Sequence, residues 1–358
     1  MKSALLPIFA LVSALCAVSA PLRAASSTSE LRQAAPKPLF RDPVCDGAAD
    51  PIVVWNPQVR CWWMFYTNRR ANVPGLPGVT WVHGTKIGIA QSADGGTTWT
   101  YVGTAAIDLP RSIGGEHPTE WAPEIATTRD GVHHLFLAVV PGVFADWHHP
   151  RTIVHLTSTD LVHWSHATAL TLSSDRVIDP CVHALPDGTW RLWYNNEADH
   201  KSIYYADSPD LTHWTDHGRC EGLGHRPGEG PFIFTWKGRD WMLIDHWHGL
   251  GVYWSTDFTH WHAQHDDLLA KPGLGTDDRV VGNHPGVVVS GGRAFLFYFT
   301  QPGRTHPPRH GEQDTTDWRR SSIQVTELRD HDGILSCDRD AATYVALKPP
   351  ADPDAPRD

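Results

Sequence analysis

The chain has 358 residues, 41% hydrophobic and 20% charged, enough for one large packed domain or two ordinary ones. A formal net charge of −10 argues against nucleic acid or an anionic membrane surface as the partner. Seventeen Trp beside 28 Pro and 30 Gly point to an all-β chain with aromatic-lined surfaces.

The N-terminus, MKSALLPIFALVSALCAVSAPLRAAS, sets one Lys before an apolar run of about 16 residues and then small residues, the pattern of a secretory signal peptide over residues 1–25. Export to the periplasm or beyond is therefore expected. No later stretch is apolar enough to span a bilayer, so no membrane association is expected after cleavage. Residues 26–39 read as a Ser/Ala/Pro linker, 40–347 as one β domain, and 348–358 as a disordered tail. Cys45, Cys61, Cys181, Cys220 and Cys337 remain after processing. Their odd number leaves at least one thiol free, and their spacing matches no zinc pattern.

RDPVCDGAADP (Arg41–Pro51) holds two Asp-Pro pairs, and only the second belongs to a repeat. Five segments begin x-Pro, run as a short apolar strand, turn through Gly, Asp or Asn, and end in an aromatic strand. They are DPIVVWNPQVRCWWMFYT, APEIATTRDGVHHLFLAV, DPCVHALPDGTWRLWYN, GPFIFTWKGRDWMLID and HPGVVVSGGRAFLFYFT, with prolines at 51, 123, 180, 231 and 285. Downstream of four copies stand SADGGTTW, STDLVHW, SPDLTHW and STDFTHW, in which Ser-x-Asp makes a turn and Trp99, Trp164, Trp214 or Trp261 opens the next strand. IGIAQ, TIVHLT, SIYYA and GVYW supply third strands. In the fifth copy SSIQVTEL (321–328) does so, and ATYVAL (342–347) is either its fourth strand or the closure of the ring. Five in-phase units of four antiparallel strands predict a five-bladed β-propeller rather than a sandwich. No run of 12 residues carries a helical period.

In a propeller the innermost strand of each blade lines a central channel, so the x-Pro sites converge at one mouth. Proline suits the start of such a strand, and the residue before it is expected to be extended. The sites read Asp50, Ala122 with Trp121 and Glu124 beside it, Asp179, Glu229 and His284. Asp42 lies out of register and reads as a turn, and Asp46 as a rim residue. Carboxylates crowded in one pit push their pKa values apart, which glycoside hydrolysis uses: one carboxylate activates water, one acid protonates the leaving oxygen.

The order ADP (49–51), WAPE (121–124), IDP (178–180) and EGP (229–231) resembles the blade starts of glycoside hydrolase family 43 and its relatives, over about residues 40–347. The resemblance implies a secreted, usually inverting enzyme acting on a plant or algal oligo- or polysaccharide, with Asp50 as general base, Asp179 as the acid that tunes pKa, and Glu229 as general acid. It implies no required cofactor; a structural calcium ion in the channel, held through water at His284, is the one metal it suggests. Glu124 stands where the family often has Asp. His225, four residues before Glu229, is an alternative acid. Trp81, Trp147 and Trp247 read equally as sugar-stacking or as inter-blade packing. Arg69 and Arg70 read as partners of an acidic sugar or, more commonly, as solvated charges. The rivals are a glycoside phosphorylase, disfavoured because few cations are evident, and a non-catalytic carbohydrate-binding propeller.

Overall fold

The computed structural model describes Met1 and residues 33–350; residues 2–25 of the expected signal peptide, residues 26–32 of the linker and residues 351–358 of the tail lie outside the described residues. Blade 1 is β1 (Ala48–Asn56), β2 (Cys61–Asn68), β3 (Lys86–Ser92) and β4 (Thr100–Thr104). The two-residue β5 (Ala106–Ile107) then crosses to pair in parallel with the outer strand of the next blade. After a one-turn helix α1 (Arg111–Gly114), blade 2 is β6 (Thr119–Thr127), β7 (His133–Val140), β8 (Thr152–Ser158) and β9 (His163–Ala169). Blade 3 is β10 (Val177–Ala184), β11 (Trp190–Asn196), β12 (Ser202–Ser208) and β13 (Thr215–Arg219). Blade 4 is β14 (Glu229–Trp236), β15 (Arg239–Asp245), β16 (Leu250–Ser255) and β17 (His262–Ala263). Blade 5 is β18 (Asn283–Ser290), β19 (Arg293–Thr300), β20 (Ser322–His331) and β21 (Ile334–Cys337), with a one-turn helix α2 (Thr316–Arg319) in its long central loop.

The innermost strands pack in a closed ring, β1 against β6, β6 against β10, β10 against β14, β14 against β18, and β18 back against β1. This is the expected five-bladed propeller. Each seam holds its own apolar cluster: Phe65, Leu137 and Trp164 between blades 1 and 2, for example, and Cys181, Trp193 and Met242 between blades 3 and 4. The ring is closed by both ends of the domain rather than by an exchanged strand. Phe40 bridges to Ile323 of β20, and Leu39, Phe40, Val345 and Leu347 fill the seam between blades 5 and 1. The segment 342–347 is therefore the closure and not the fourth strand. Its Leu347 N–H donates to Gly95 O at 2.8 Å, and its Val345 carbonyl accepts from Thr97 Oγ1 at 3.2 Å. All five described cysteines are free thiols.

The Ser-x-Asp turns explain many of the histidines. Asp160 accepts the N–H groups of Val162 and His163 at 2.8 Å each, and His163 Nδ1 lies 2.8 Å from its other oxygen. Asp210–His213 and Asp257–His260 repeat this at 2.8 and 2.7 Å. Each histidine side chain thus locks its own exposed turn. Asp42 is a turn residue, as expected, but a buried one: its carboxylate accepts Val44 and Cys45 N–H and the Tyr66 hydroxyl, the last at 2.5 Å. Asp46 pairs with Arg320 at 2.6 Å outside the cavity described below.

One local expectation is overturned. The residue before each blade-start proline is not extended. Asp50, Ala122, Asp179, Gly230 and His284 all have positive φ, at 54°, 46°, 57°, 56° and 42°. At the same five places the ladder slips, between Ala49 and Ile52, Trp121 and Glu124, Ile178 and Cys181, Glu229 and Phe232, and Asn283 and Gly286. Each is a β-bulge, which places two residues opposite one and re-aims a side chain. At all five blade starts the bulge outweighs the pre-proline preference.

A left-handed L-residue costs roughly 1–2 kcal/mol. At Ala122 no polar function offsets this, and its buried methyl is worth only about 0.8 kcal/mol. Ala122→Gly is therefore expected to be close to neutral, within about 0.8 kcal/mol either way, because relief of the strain offsets both the lost methyl and the roughly 0.5–1 kcal/mol that glycine ordinarily costs through chain entropy. The guanidinium midpoint reads it; a loss of 1 kcal/mol or more contradicts strain at this position.

Candidate active site

A cavity of about 450 Å³ opens at the mouth of the channel. Every blade feeds it from the same two places: the bulged start of its first strand and the loop joining its second and third strands. Strands alternate in direction, so these two points fall at the same end of each blade. The strand starts deliver Asp50, Trp121, Asp179, Glu229 and His284, and the loops deliver Arg69 and Trp81, Trp147 and Arg151, Glu197 and Lys201, Trp247, and Gln301 and Arg304.

The polar groups form one continuous circuit. Arg151 pairs with Glu197, whose other oxygen takes Lys201 Nζ at 2.8 Å. Lys201 also reaches Glu229 Oε2 at 3.1 Å, while Trp247 Nε1 donates to Glu229 Oε1 at 2.9 Å. Asp245, at the end of β15 directly across from Glu229, accepts Trp247 N–H at 2.7 Å and His284 N–H at 2.9 Å. His284 Nδ1 lies 3.4 Å from Asp50 Oδ1, which also accepts from Arg69 Nη2 at 3.2 Å. Asp179 accepts Gly230 N–H at 2.9 Å, next to Glu229. Gly230 is needed there, since a Cβ would come within 2.9 Å of His284 Nδ1.

Burial and neighbouring charge separate these groups electrostatically. Burial, reinforced by the charge on Glu229, pushes Asp245 up to about 7 against the two N–H bonds it accepts. Burial also raises Asp179, with Glu229 and Asp50 adding to the effect and His284 opposing it. Burial alone would lower His284, but Asp50, Asp179, Asp245 and Glu229 together raise it, so its imidazolium balances the ring of carboxylates. On the other flank, burial tends to lower Lys201, and Glu229 and Glu197 overcome that to raise it. The site therefore holds two carboxyls, Asp179 and Asp245, shifted toward the protonated form beside others bound by fixed cations.

Aromatic rings form the opposite wall. Trp121 donates from Nε1 to Val82 O at 2.6 Å, and Trp147, half exposed at the rim, lies 6.1 Å from it centroid to centroid. Trp81 is buried in the 68–86 insertion and still borders the cavity.

The structure brings together Asp50, Asp179, Glu229, His284, Trp121, Trp81 and Arg69. It does not bring in Glu124 or His225. Glu124 stands at the bulge position occupied by Ile52, Cys181, Phe232 and Gly286 in the other blades, which faces the seam rather than the channel. Its carboxyl is buried against Val182 N–H and pushed well above the usual range by that burial. His225 is exposed near Arg219, because Arg226 is tied outward to Asp267 by two bonds of 2.9 and 2.5 Å. The scarcity of cations expected from the sequence is also overturned: Arg69, Arg151, Lys201 and Arg304 line the cavity. Sequence reasoning missed Asp245, Glu197, Lys201, Arg151, Gln301 and Arg304. The hairpin register across from Glu229 points to Asp245; the loops between second and third strands point to the rest.

A directly ligated calcium ion does not fit. Among the described residues no group of three His, Cys, Asp or Glu side chains is arranged to hold a metal. The carboxylate oxygens nearest His284 are committed to N–H groups, Arg69 and His284 itself, and His284 supplies the positive charge that an ion would bring.

No protein-family model matches the chain, nor does any curated protein. Solved structures do. A thermostable family-43 glycoside hydrolase superposes with a TM-score of 0.58 at 16% identity, covering 87% of this chain and 99% of that one. RS223 β-xylosidase gives 0.60 at 12% identity over 82% and 95%, and a GH43_1 enzyme from Xanthomonas citri complexed with xylotriose gives 0.58 at 14% over 84% and 93%. The chain shares their fold.

Carbon-13 NMR of protein labelled at the aspartate carboxyls is expected to show a resonance titrating near pH 7 that disappears in Asp245→Asn. Aspartate titration complete below pH 5 contradicts the electrostatics described for this site.

Proposed function

We propose that the chain is an exported glycoside hydrolase that cleaves an oligo- or polysaccharide by single displacement. The observation that carries this reading is the convergence of Asp50, Asp179 and Glu229, from blades 1, 3 and 4, on one aromatic-walled cavity. In this mechanism Asp50, oriented by Arg69 and His284, takes a proton from water as the water oxygen bonds to the anomeric carbon. In the free site both Glu229 oxygens accept from Lys201 and Trp247; with substrate bound Glu229 carries the proton that the glycosidic oxygen takes as the C–O bond breaks. Lys201 and Trp247 Nε1 then receive the negative charge left on Glu229. Asp179, on the Gly230 N–H, holds the backbone next to the acid in place.

Fold likeness to family-43 enzymes supports this chemistry, and the xylotriose held by one of them makes a short neutral oligosaccharide a first substrate to try. Phosphorolysis by the same acid is the second reading, favoured by the four cations at the cavity; three of them already carry a protein carboxylate.

The test is a screen of aryl glycosides and plant or algal oligosaccharides with the purified protein. On any substrate it cleaves, Asp50→Asn and Glu229→Gln are each expected to lower kcat by at least about a hundredfold while leaving the thermal transition in place. Glu229→Gln should lose much less on aryl glycosides with good leaving groups, which need no protonation. Near-native turnover by either variant on a poor leaving group removes that residue from the mechanism.

A further inference from the structure

Arg304 breaks the pattern of paired charges at the cavity. Arg69 is bound by Asp50, Arg151 by Glu197, and Lys201 by Glu197 and Glu229. Arg304 has no carboxylate partner among the described residues. Its Nε makes one long bond, 3.4 Å, to Trp318 O, and its guanidinium lies 5.9 and 5.8 Å from the rings of Trp81 and Trp318. Its side chain lines the cavity. The nearby acids of the same loop are already used, Asp314 by Arg319 and Asp317 by Arg320.

Three further observations point the same way. Crowding by protein and the charge of Arg69 together lower Arg304 to about 10, so an arginine is held here at an energetic cost that an anion would offset. Gln301, one turn earlier in the loop and more than nine-tenths buried, borders the same cavity with an Nε2 that has no acceptor among the described residues. Finally, the five carboxyls at the cavity are met by four fixed cations and His284, so it lacks the negative bias of the chain as a whole.

We propose that the substrate carries a carboxylate, as a hexuronic acid residue does, and that Arg304 binds it between blades 5 and 1 with Gln301 beside it. A carboxylate matches the two parallel N–H groups that a guanidinium presents edge-on, and a charge-assisted pair shielded by Trp81 and Trp318 is worth at least about a tenfold preference. The insertion 68–86 and the 301–321 loop of blade 5, which bring Trp81 and Arg304 together, act as the specificity elements of the ring. This deepens the hydrolase reading and rests on it for the bond that is cleaved.

The experiment compares oligosaccharides ending in galacturonic or glucuronic acid with their C6 methyl esters and with the matching galactose and glucose compounds. The free acids are expected to be cleaved with a kcat/KM at least about tenfold above the esters. Arg304→Met should abolish that ratio, and Arg304→Lys should keep part of it. Equal cleavage of acid and ester, survival of the preference in Arg304→Met, stronger cleavage of a sulfated counterpart, or a requirement for inorganic phosphate with release of a sugar phosphate each overturns the proposal. Calorimetric titration with galacturonate and glucuronate separates the two readings if no substrate is cleaved. Uronate binding that Arg304→Met loses sustains the carboxylate site while the hydrolase reading falls; no uronate binding by the wild-type protein overturns the site itself.

Discussion

The site depends on one backbone device, the bulge at the start of each innermost strand. A strand running straight into the channel would alternate its side chains between the two neighbouring seams. By taking the pre-proline residue into the left-handed region, each blade inserts one extra residue and turns it toward the axis. The following residue is proline, which asks for no ladder hydrogen bond where the ladder is broken. The same device serves different chemistry in different blades: carboxylates at Asp50 and Asp179, an imidazole at His284, a methyl at Ala122, and at Gly230 a vacancy that admits His284 and leaves the acid one residue earlier. Four of the five positions hold an L-residue in a strained conformation, and three of those four are polar groups at the centre of the cavity.

Once the carboxylates are gathered, their mutual repulsion must be met, and the fold meets it in two ways. Deep in the channel, burial holds Asp179 and Asp245 toward the protonated form, and His284 carries a balancing positive charge. For the other carboxylates, fixed cations from the loops take over, in the Arg151–Glu197–Lys201–Glu229 chain and at Arg69–Asp50. The blade starts are thus a rigid source of acids, and the loops between second and third strands supply the cations and aromatic walls that adapt the cavity to a particular ligand. In the proposed hydrolase, chemistry and specificity reside on different parts of the same repeat.

This division explains what was legible in the sequence. The x-Pro and Ser-x-Asp signals recur because every blade needs the same bulge and the same turn, so the repeat exposed five blades and placed Asp50, Asp179, Glu229 and His284 at one mouth. Glu124 was misplaced because two residues after a bulge the strand faces the seam, and counting along the chain without the bulge assigns it to the channel. His225 was misplaced because nearness to Glu229 in sequence says nothing about the Arg226–Asp267 pair that draws its loop outward. Lys201 and Arg304 sit in loops of unlike length and composition, where no periodicity marks them. Asp245 was passed over inside a histidine-rich stretch, although the hairpin register sets it opposite Glu229.

In the proposed single displacement Asp50 delivers water and Glu229 delivers a proton across the channel. Such a mechanism leaves room for water between base and sugar, with carboxyl groups about 6.5–9.5 Å apart, whereas a double displacement brings them to about 5–5.5 Å. Proton NMR of the first-formed sugar, recorded before mutarotation, separates the two. Single displacement gives an anomer opposite in configuration to the substrate; an anomer of the same configuration would make Asp50 a nucleophile and rule single displacement out.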